Sequence, residues 1–408
     1  MEETARELLE KHGQAHLLRY FEALNENQKA ILLNTIRRID FAKLQKALFA
    51  VGKKNAVDLI APMKVLSLRE IERRKTHFFE LGLKSLQNGE VGAVILAGGQ
   101  GTRLGSDKPK GMFDVGIKRN MPIFQIHAEN ARKRMEECGA LLHLFIMTNE
   151  SSHDEVVRFF SLYNNFGFNA RYLHFYPQDM NPAVDKKGKI LMKSPWQPCM
   201  APSGNGGWYE SLMASDSAQF VRDGKMEWLN VVSVDNVLQK TYDPVFIGAT
   251  IASGCACGAK VVKKCSPDEK VGAICLRNGK PSVVEYYELS EEMKTAVDDE
   301  GKPIYDYGVT LNYLFSVARL EATLHMPLPV HVTQKKVPYI DEHGAFVKPE
   351  QPNAYKFETL ILDMIEYMET CLPYEINREE EFAPIKNRIG VDSLETARAM
   401  LLRKMGEL

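Results

Sequence analysis

Val91 to Gly116 reads VGAVILAGGQGTRLGSDKPKGMFDVG. Its first six residues carry no polar side chain and run straight into glycines, the pattern of a short strand buried on both faces. The next ten are too rich in glycine to form a helix. Gly98, Gly99, Gly101 and Gly105 let backbone N–H groups approach a ligand with no Cβ in the way, and Arg103, Lys108 and Lys110 add positive charge within the same stretch. Open α/β sheets bind ligands beyond the C-terminal ends of their strands, so a cationic glycine loop here predicts a polyphosphate site. Two familiar phosphate motifs fail. No Gly-Lys-Ser/Thr closes the run, and Gly99-Gln-Gly101 is followed by Gly105, one position too far for a dinucleotide fingerprint.

Working outward, apolar runs at 141–147, 228–234 and 260–262 read as further strands, and helical spacing at 124–138 and 153–163 separates them. The alternation predicts an α/β domain over residues 89–331 with a mostly parallel sheet. Asp235 follows the apolar run 231–234, which puts a carboxylate at the same sheet edge as the glycine loop; it suits a hard divalent cation, or alternatively a helix cap. Residues 271–276 and 282–287 flank Asn278-Gly279 and read as a hairpin, with Glu285 in its second strand. Upstream, residues 1–88 are helical by periodicity, and Ser67 with Glu70 has capping-box spacing. From 332 the chain grows richer in Pro and Lys, with a helix expected at 357–369, so residues 332–408 are expected to form a smaller α+β domain.

The composition narrows the function classes. The 408 residues carry 52 Lys and Arg against 53 Asp and Glu, a formal charge of −1, without the basic excess of a general nucleic-acid or anionic-membrane binder. No apolar run reaches the roughly 18 residues of a membrane helix, and the acidic start Met1-Glu2-Glu3 is unlike a secretory signal, so a cytoplasmic address is expected. The near-zero total hides local charge. Between 103 and 119 stand Arg103, Lys108, Lys110, Lys118 and Arg119, opposed by Asp107 and Asp114. Seven cysteines are too few and odd in number for a disulfide framework, and Cys255, Cys257 and Cys265 lack zinc spacing, so buried reduced thiols are expected. His325, His331 and His343 show no ligand spacing, and nothing adjacent in sequence activates Cys199.

LAGGQGTRLG followed by PKGM and DVG resembles the signature of the eukaryotic-type UDP-N-acetylhexosamine pyrophosphorylases. The likeness continues in order through Gly13 to Arg19, Met200 to Gly207, Ser233 to Asn236, Val283 to Tyr286, Gln334 to Asp341 and Glu381 to Asn387. It implies a central Rossmann-like nucleotidyltransferase (GT-A-like) domain with a mixed sheet, a helical N-terminal region and a small C-terminal domain. It further implies the reaction of UTP with a sugar 1-phosphate to give a UDP-sugar and pyrophosphate, assisted by Mg²⁺ or Mn²⁺ in a monomer or weak oligomer, with no nucleic-acid or membrane partner. The acceptor phosphate is already a nucleophile, so alignment and charge neutralisation replace a general base. Carried over by motif, Leu96, Gly98, Gly99, Gln178 and Gly204 bind the nucleotide, while Arg103, Lys110 and Lys386 stabilise the phosphates. Asp235 holds the metal, and Asn205, Glu285, Val309 and Lys356 bind the sugar phosphate. Lys356 and Lys386 imply a C-terminal domain that closes over the ligands.

One position departs from the pattern. The family introduces a helix with Gly-Asn-Ile, whose Asn contacts the N-acetyl group; here the residues are Gly308-Val309-Thr310. Thr310, Asn312 or Asn205 could take over the contact, or the substrate could be an unacetylated hexose 1-phosphate such as glucose or galactose 1-phosphate. N-acetylglucosamine 1-phosphate is the first expectation, the unacetylated sugar the second, and a non-catalytic sugar-nucleotide sensor the third. The full set Arg103, Lys110 and Asp235 argues against the sensor, because binding alone needs no transition-state cations.

Overall fold

The computed structural model describes residues 2–50, 58–117, 120–223, 225–301, 303–324 and 326–406. Lys118, Arg119 and His325 therefore lie outside the described residues. The chain divides into two compact units: Met1–Ala56 with Asp179–Gly207 and Leu328–Leu360, and Val57–Gln178 with Trp208–Pro327 and Ile361–Leu408. Three consecutive domains were expected, with breaks near 88 and 331. Instead the chain enters each unit more than once, because strands distant in sequence complete each other's sheets. Ala354–Glu358 pairs with Val184–Asp185 in the first unit, and Cys371–Glu375 adds in parallel to Cys257–Lys263 in the second.

The second unit is built on a ten-stranded sheet. Its main path runs Ile60–Pro62, Ala273–Arg277, Tyr307–Ser316, Trp228–Ser233, Val91–Leu96, Leu144–Thr148 and Leu173–Pro177. The last four are mutually parallel, but Tyr307–Ser316 runs antiparallel to both Trp228–Ser233 and Cys257–Lys263. The sheet is thus mixed, and the parallel character read from periodicity holds for those four strands and for the pair Cys257–Lys263 with Cys371–Glu375. All six residues of Val91–Leu96 are buried, as an interior parallel strand requires. The run at 141–147 yields a strand only from Leu144, and Leu141 is exposed.

Helices cover this sheet where the 3.6-residue spacing predicts them. Ile123–Cys138 ends at Gly139 in the left-handed conformation, and Leu68–Gln87 begins with the Ser67–Glu70 capping box. Leu68–Gln87 and Pro244–Ser253 cross at glycines: a Cβ on Gly248 would lie 1.7 Å from the Phe78 carbonyl oxygen, and one on Gly82 1.9 Å from that of Pro244. The hairpin forms with Asn278 and Gly279 both at positive φ, the twist-matched two-residue turn. Its second strand, Lys280–Val284, stops one residue short of Glu285.

The first unit packs the helices Glu2–Lys11, Glu26–Arg38 and Phe41–Ala50 on a small sheet containing His331–Lys335 and Ala354–Glu358. Leu9, Leu17, Phe21, Leu32, Ile36 and Phe357 share its core. The helix expected at 357–369 begins instead as strand: Val332 opposes Phe357, whose ring fills this core, and only Ile361–Tyr367 turns helically. The Gly13 to Arg19 motif is structural. The buried Gln14 amide donates to Gly188 O at 2.8 Å and accepts from Ile190 N at 3.0 Å. Among the described residues no helix is long and apolar enough to cross a membrane.

Candidate functional site

Three parallel strands deliver their C-terminal ends to one edge: Val91–Leu96 leads to the glycine loop, Leu144–Thr148 to Asn149, and Trp228–Ser233 to Asp235. The loop folds back on itself through Gly101 N to Lys108 O at 3.0 Å and Lys110 N to Gly99 O at 3.1 Å. Gly105, at φ +76°, makes the reversal that an L side chain would strain. Gly111 sits against the Phe124 ring, where a Cβ would fall 2.3 Å from a ring carbon. That seat anchors the end of the loop and with it Lys110.

Lys110 is buried, and its Nζ lies 3.0 Å from Asp235 Oδ1. Asp235 is not a helix cap. Residues 234–238 form a turn with no helix after it, held by Ser233 Oγ accepting from Asp235 N at 3.1 Å. Beneath the turn, His127 on Ile123–Cys138 places Nε2 2.9 Å from Val234 O, and burial lowers its pKa, so the ring is neutral near neutrality. Arg103 stands exposed on the turn Thr102–Leu104, clear of any ion pair with a described residue.

The base-reading position is also built. Gln178 follows Leu173–Pro177, is buried, and is tied to the neighbouring strand by its N–H to Thr148 O at 2.8 Å. Its carboxamide packs on Gly98, where a Cβ would come within 2.8 Å of Nε2 and 3.0 Å of Oε1. Asn149, unnoticed in the sequence, directs Nδ2 to Gly98 O at 3.5 Å. Gly99 has open space where its Cβ would be, so no neighbour crowds the loop at that point.

Lys386 arrives from far along the chain. Ile385 N donates to Asp235 O at 2.9 Å, and Lys386 Nζ pairs with Asp392 Oδ2 at 2.9 Å. The sheet unit therefore brings Leu96, Gly98, Gly99, Gln178, Lys110, Asp235 and Lys386 to one sheet edge. Glu285 lies in the turn after the hairpin rather than within a strand, with its N–H bonded to Glu288 Oε2 at 3.1 Å.

Val309 is part of the long strand Tyr307–Ser316, paired with Val261, and opens no helix. Its two polar neighbours are committed inside the sheet: Thr310 Oγ1 donates to Lys260 O at 3.0 Å, and the Asn312 amide bonds Asn230 Nδ2 at 2.8 Å and Lys240 O at 3.3 Å. Gly204, Asn205 and Lys356 belong to the other unit. There Gly204, at φ +89°, lies so close to Thr359 that a Cβ would be 2.3 Å from its carbonyl oxygen. Lys356 sits opposite Thr333 in the small sheet. Cys257 is buried in a strand whereas Cys265 is exposed, and among the described residues no cluster of three His, Cys, Asp or Glu could hold a metal. All seven cysteines are free, five of them buried, with Cys255 half-buried.

Residues 46–397 match the family described as UTP--glucose-1-phosphate uridylyltransferase. The chain belongs to this uridylyltransferase family. It is 34% identical to the human UDP-N-acetylhexosamine pyrophosphorylase-like protein 1 over 98% of this chain and 84% of that protein. It is 32% identical to the UDP-N-acetylglucosamine pyrophosphorylase of Saccharomyces cerevisiae over 98% and 89%. Among solved structures, the uridine diphosphate N-acetylglucosamine pyrophosphorylase of Trypanosoma brucei superposes with a TM-score of 0.83 at 26% identity, covering 97% of this chain and 83% of that one. A variant of the Leishmania major UDP-glucose pyrophosphorylase shares the fold, with a TM-score of 0.66 at 18% identity over 94% and 78%. The mixed α/β fold of this uridylyltransferase is thus that of its family.

Proposed function

We propose that this uridylyltransferase joins UTP to N-acetylglucosamine 1-phosphate, releasing pyrophosphate, as a monomer or weak oligomer in the cytoplasm. The observation that carries the reading is the buried Lys110 ammonium, 3.0 Å from the Asp235 carboxylate at the mouth of three parallel strands, directly beside the Gly98–Gln178 contact. At the mouth of a phosphate-binding loop, a cation held beside a carboxylate is placed to meet charge that grows on the phosphates in the transition state. Free cysteines suit a reducing compartment.

In this reading the glycine loop around Gly99 holds the triphosphate, and the Gln178 amide offers a donor and an acceptor to uracil. A phosphate oxygen of the sugar attacks the α-phosphorus in line while the bond to pyrophosphate breaks. Arg103, Lys110 and Lys386 meet the charge spread over the α-phosphate and the leaving group. Lys386 would exchange Asp392 for phosphate. A single carboxylate fits Mg²⁺, which takes one or two protein oxygens and completes its shell with phosphate and water; Asp235 would hold it. When bound, the ion supplies Lewis-acid neutralisation of the phosphates. Glu285 is assigned to the sugar hydroxyls. For Gly204, Asn205 and Lys356 the assignment is carried by the sequence motifs.

The relatives named for N-acetylglucosamine, at 32% identity and, for the trypanosomal structure, a TM-score of 0.83, support the amino sugar. Val309 supports a second reading, an unacetylated hexose 1-phosphate, since neither Thr310 nor Asn312 is available to replace the missing amide. Pyrophosphate release with UTP and a panel of sugar 1-phosphates tests both. Turnover should require UTP, stop with EDTA and return with Mg²⁺, and be greatest with N-acetylglucosamine 1-phosphate. Turnover confined to glucose 1-phosphate overturns the first reading, and none with any sugar overturns both.

A further inference from the structure

Between the metal-side turn and the C-terminal segment runs a set of bonds that touches no ligand. The Asn236 side chain, 2% exposed, donates Nδ2–H to Glu381 O at 2.7 Å and accepts Ala383 N–H at Oδ1 at 2.9 Å. Main-chain bonds extend the pairing on either side: Val237 N to Ala383 O at 3.3 Å, and Ile385 N to Asp235 O at 2.9 Å. The amide of Asn236 thus acts as one more rung of a strand pair, joining residues 381–385 to residues 235–237. At the far end of the segment, Glu381 is pinned by Lys240 at 2.8 Å and Lys260 at 2.7 Å. Residues 382–385 are buried throughout, and Lys386 is the first residue to emerge.

We propose that Asn236 is a positioning residue, which fixes the register of the C-terminal segment against Asp235 and so sets where the Lys386 ammonium stands relative to the metal-side carboxylate. The inference rests on the roles given above to Asp235 and Lys386. Without the amide, the segment keeps its buried anchor at Glu381 and the main-chain bond from Ile385 to Asp235, but loses the two side-chain bonds that fix the stretch between them. A slip of about 1 Å in a phosphate-stabilising cation costs on the order of 100-fold in rate. The Gly98–Gln178 contact is independent of this rung, so nucleotide affinity should survive.

The test is a double-mutant cycle on the full chain with UTP, Mg²⁺ and the best sugar 1-phosphate. Asn236→Ala should lower kcat by about 10- to 100-fold and leave KM for UTP within about threefold. Asn236→Ala combined with Lys386→Ala should be no more than about twofold slower than Lys386→Ala alone, because a positioning residue has nothing left to position. Asn236→Asp keeps the bonds accepted from Ala383 N and, at 3.3 Å, from Leu238 N, and loses the donor to Glu381. It should show the same kcat-selective loss, and it stands in if the alanine variant fails to fold. Defects that multiply, or an Asn236 variant with unchanged kcat, overturn the inference while leaving the proposed reaction intact. Full activity of Lys386→Ala overturns the assignment of Lys386, and this inference with it.

Discussion

Replacing Lys260 by Met probes a buried charge network of the sheet unit. Lys260 is 1% exposed, and its Nζ lies 2.7 Å from both Asp243 Oδ2 and Glu381 Oε2. Lys240 reaches the other oxygen of Glu381, so two cations balance two carboxylates. Burial works against the charge on Lys260, but the two carboxylates outweigh it and hold its pKa above the ordinary value. Burial likewise raises the Asp243 carboxyl, and Lys260 more than reverses it, leaving that pKa low. Methionine matches the volume but leaves Asp243 buried without its partner. Removing one member of a buried pair costs about 3–5 kcal/mol, a large part of a typical total of about 5–15. At roughly 2–4 °C per kcal/mol, Tm should fall by about 6–20 °C. The pH dependence carries a sign. In the parent, Asp243 has a folded pKa below its unfolded one, so its contribution is present above the ordinary carboxylate range and lost as pH falls through the folded value. In the variant the buried carboxyl is raised instead, so protonation relieves it. The deficit, measured by urea unfolding, should therefore be largest near pH 7.5 and shrink towards pH 5. A deficit below about 1 kcal/mol at pH 7.5, or one that does not shrink on acidification, would refute the reasoning.

Three further substitutions separate the parts of the site. Gly98→Ala drives a methyl to 2.8–3.0 Å from the Gln178 amide, and the displaced hydrogen bond, about 1–1.5 kcal/mol, should raise KM for UTP roughly tenfold with a smaller effect on kcat in steady-state assays. Lys110→Met should lower kcat by about 100- to 1000-fold while KM for UTP moves far less; equal losses in both would mean that Lys110 binds the ground state. Gly248→Ala forces apart the helices that cross at Phe78. It should cost about 1–3 kcal/mol in urea unfolding, with the rate per folded molecule unchanged.

The elements with strong local signals were legible in the sequence. Buried parallel strands, the capping box at Ser67, the glycine stop at Gly139 and the Asn278-Gly279 turn all follow from side-chain size and backbone freedom within a few residues. The division of the chain was not legible. Nothing local in residues 184–185 or 354–358 says that they pair, and the Phe357 region reads as amphipathic helix until its partner strand is known. The candidate site divides in the same way. Gly98, Lys110 and Asp235 stand out because they follow strands. The Asn236 rung, the Asn149 contact and the Lys260–Glu381 pair depend on partners 51 to 145 residues away, and a lone Asn or Lys carries no local mark of that. At Val309 the local reading fails outright: the helix expected to start there is a strand.

The central claim is that a sugar phosphate oxygen attacks the α-phosphorus of UTP at the edge where Lys110 meets Asp235. Tracing ¹⁸O in the phosphate of N-acetylglucosamine 1-phosphate by ³¹P NMR tests it most directly. All the label should appear in the UDP-sugar, with one labelled oxygen bridging the two phosphorus atoms, and the pyrophosphate should be unlabelled. Label in pyrophosphate, or conversion of UTP to UMP with no sugar nucleotide formed, would contradict the account.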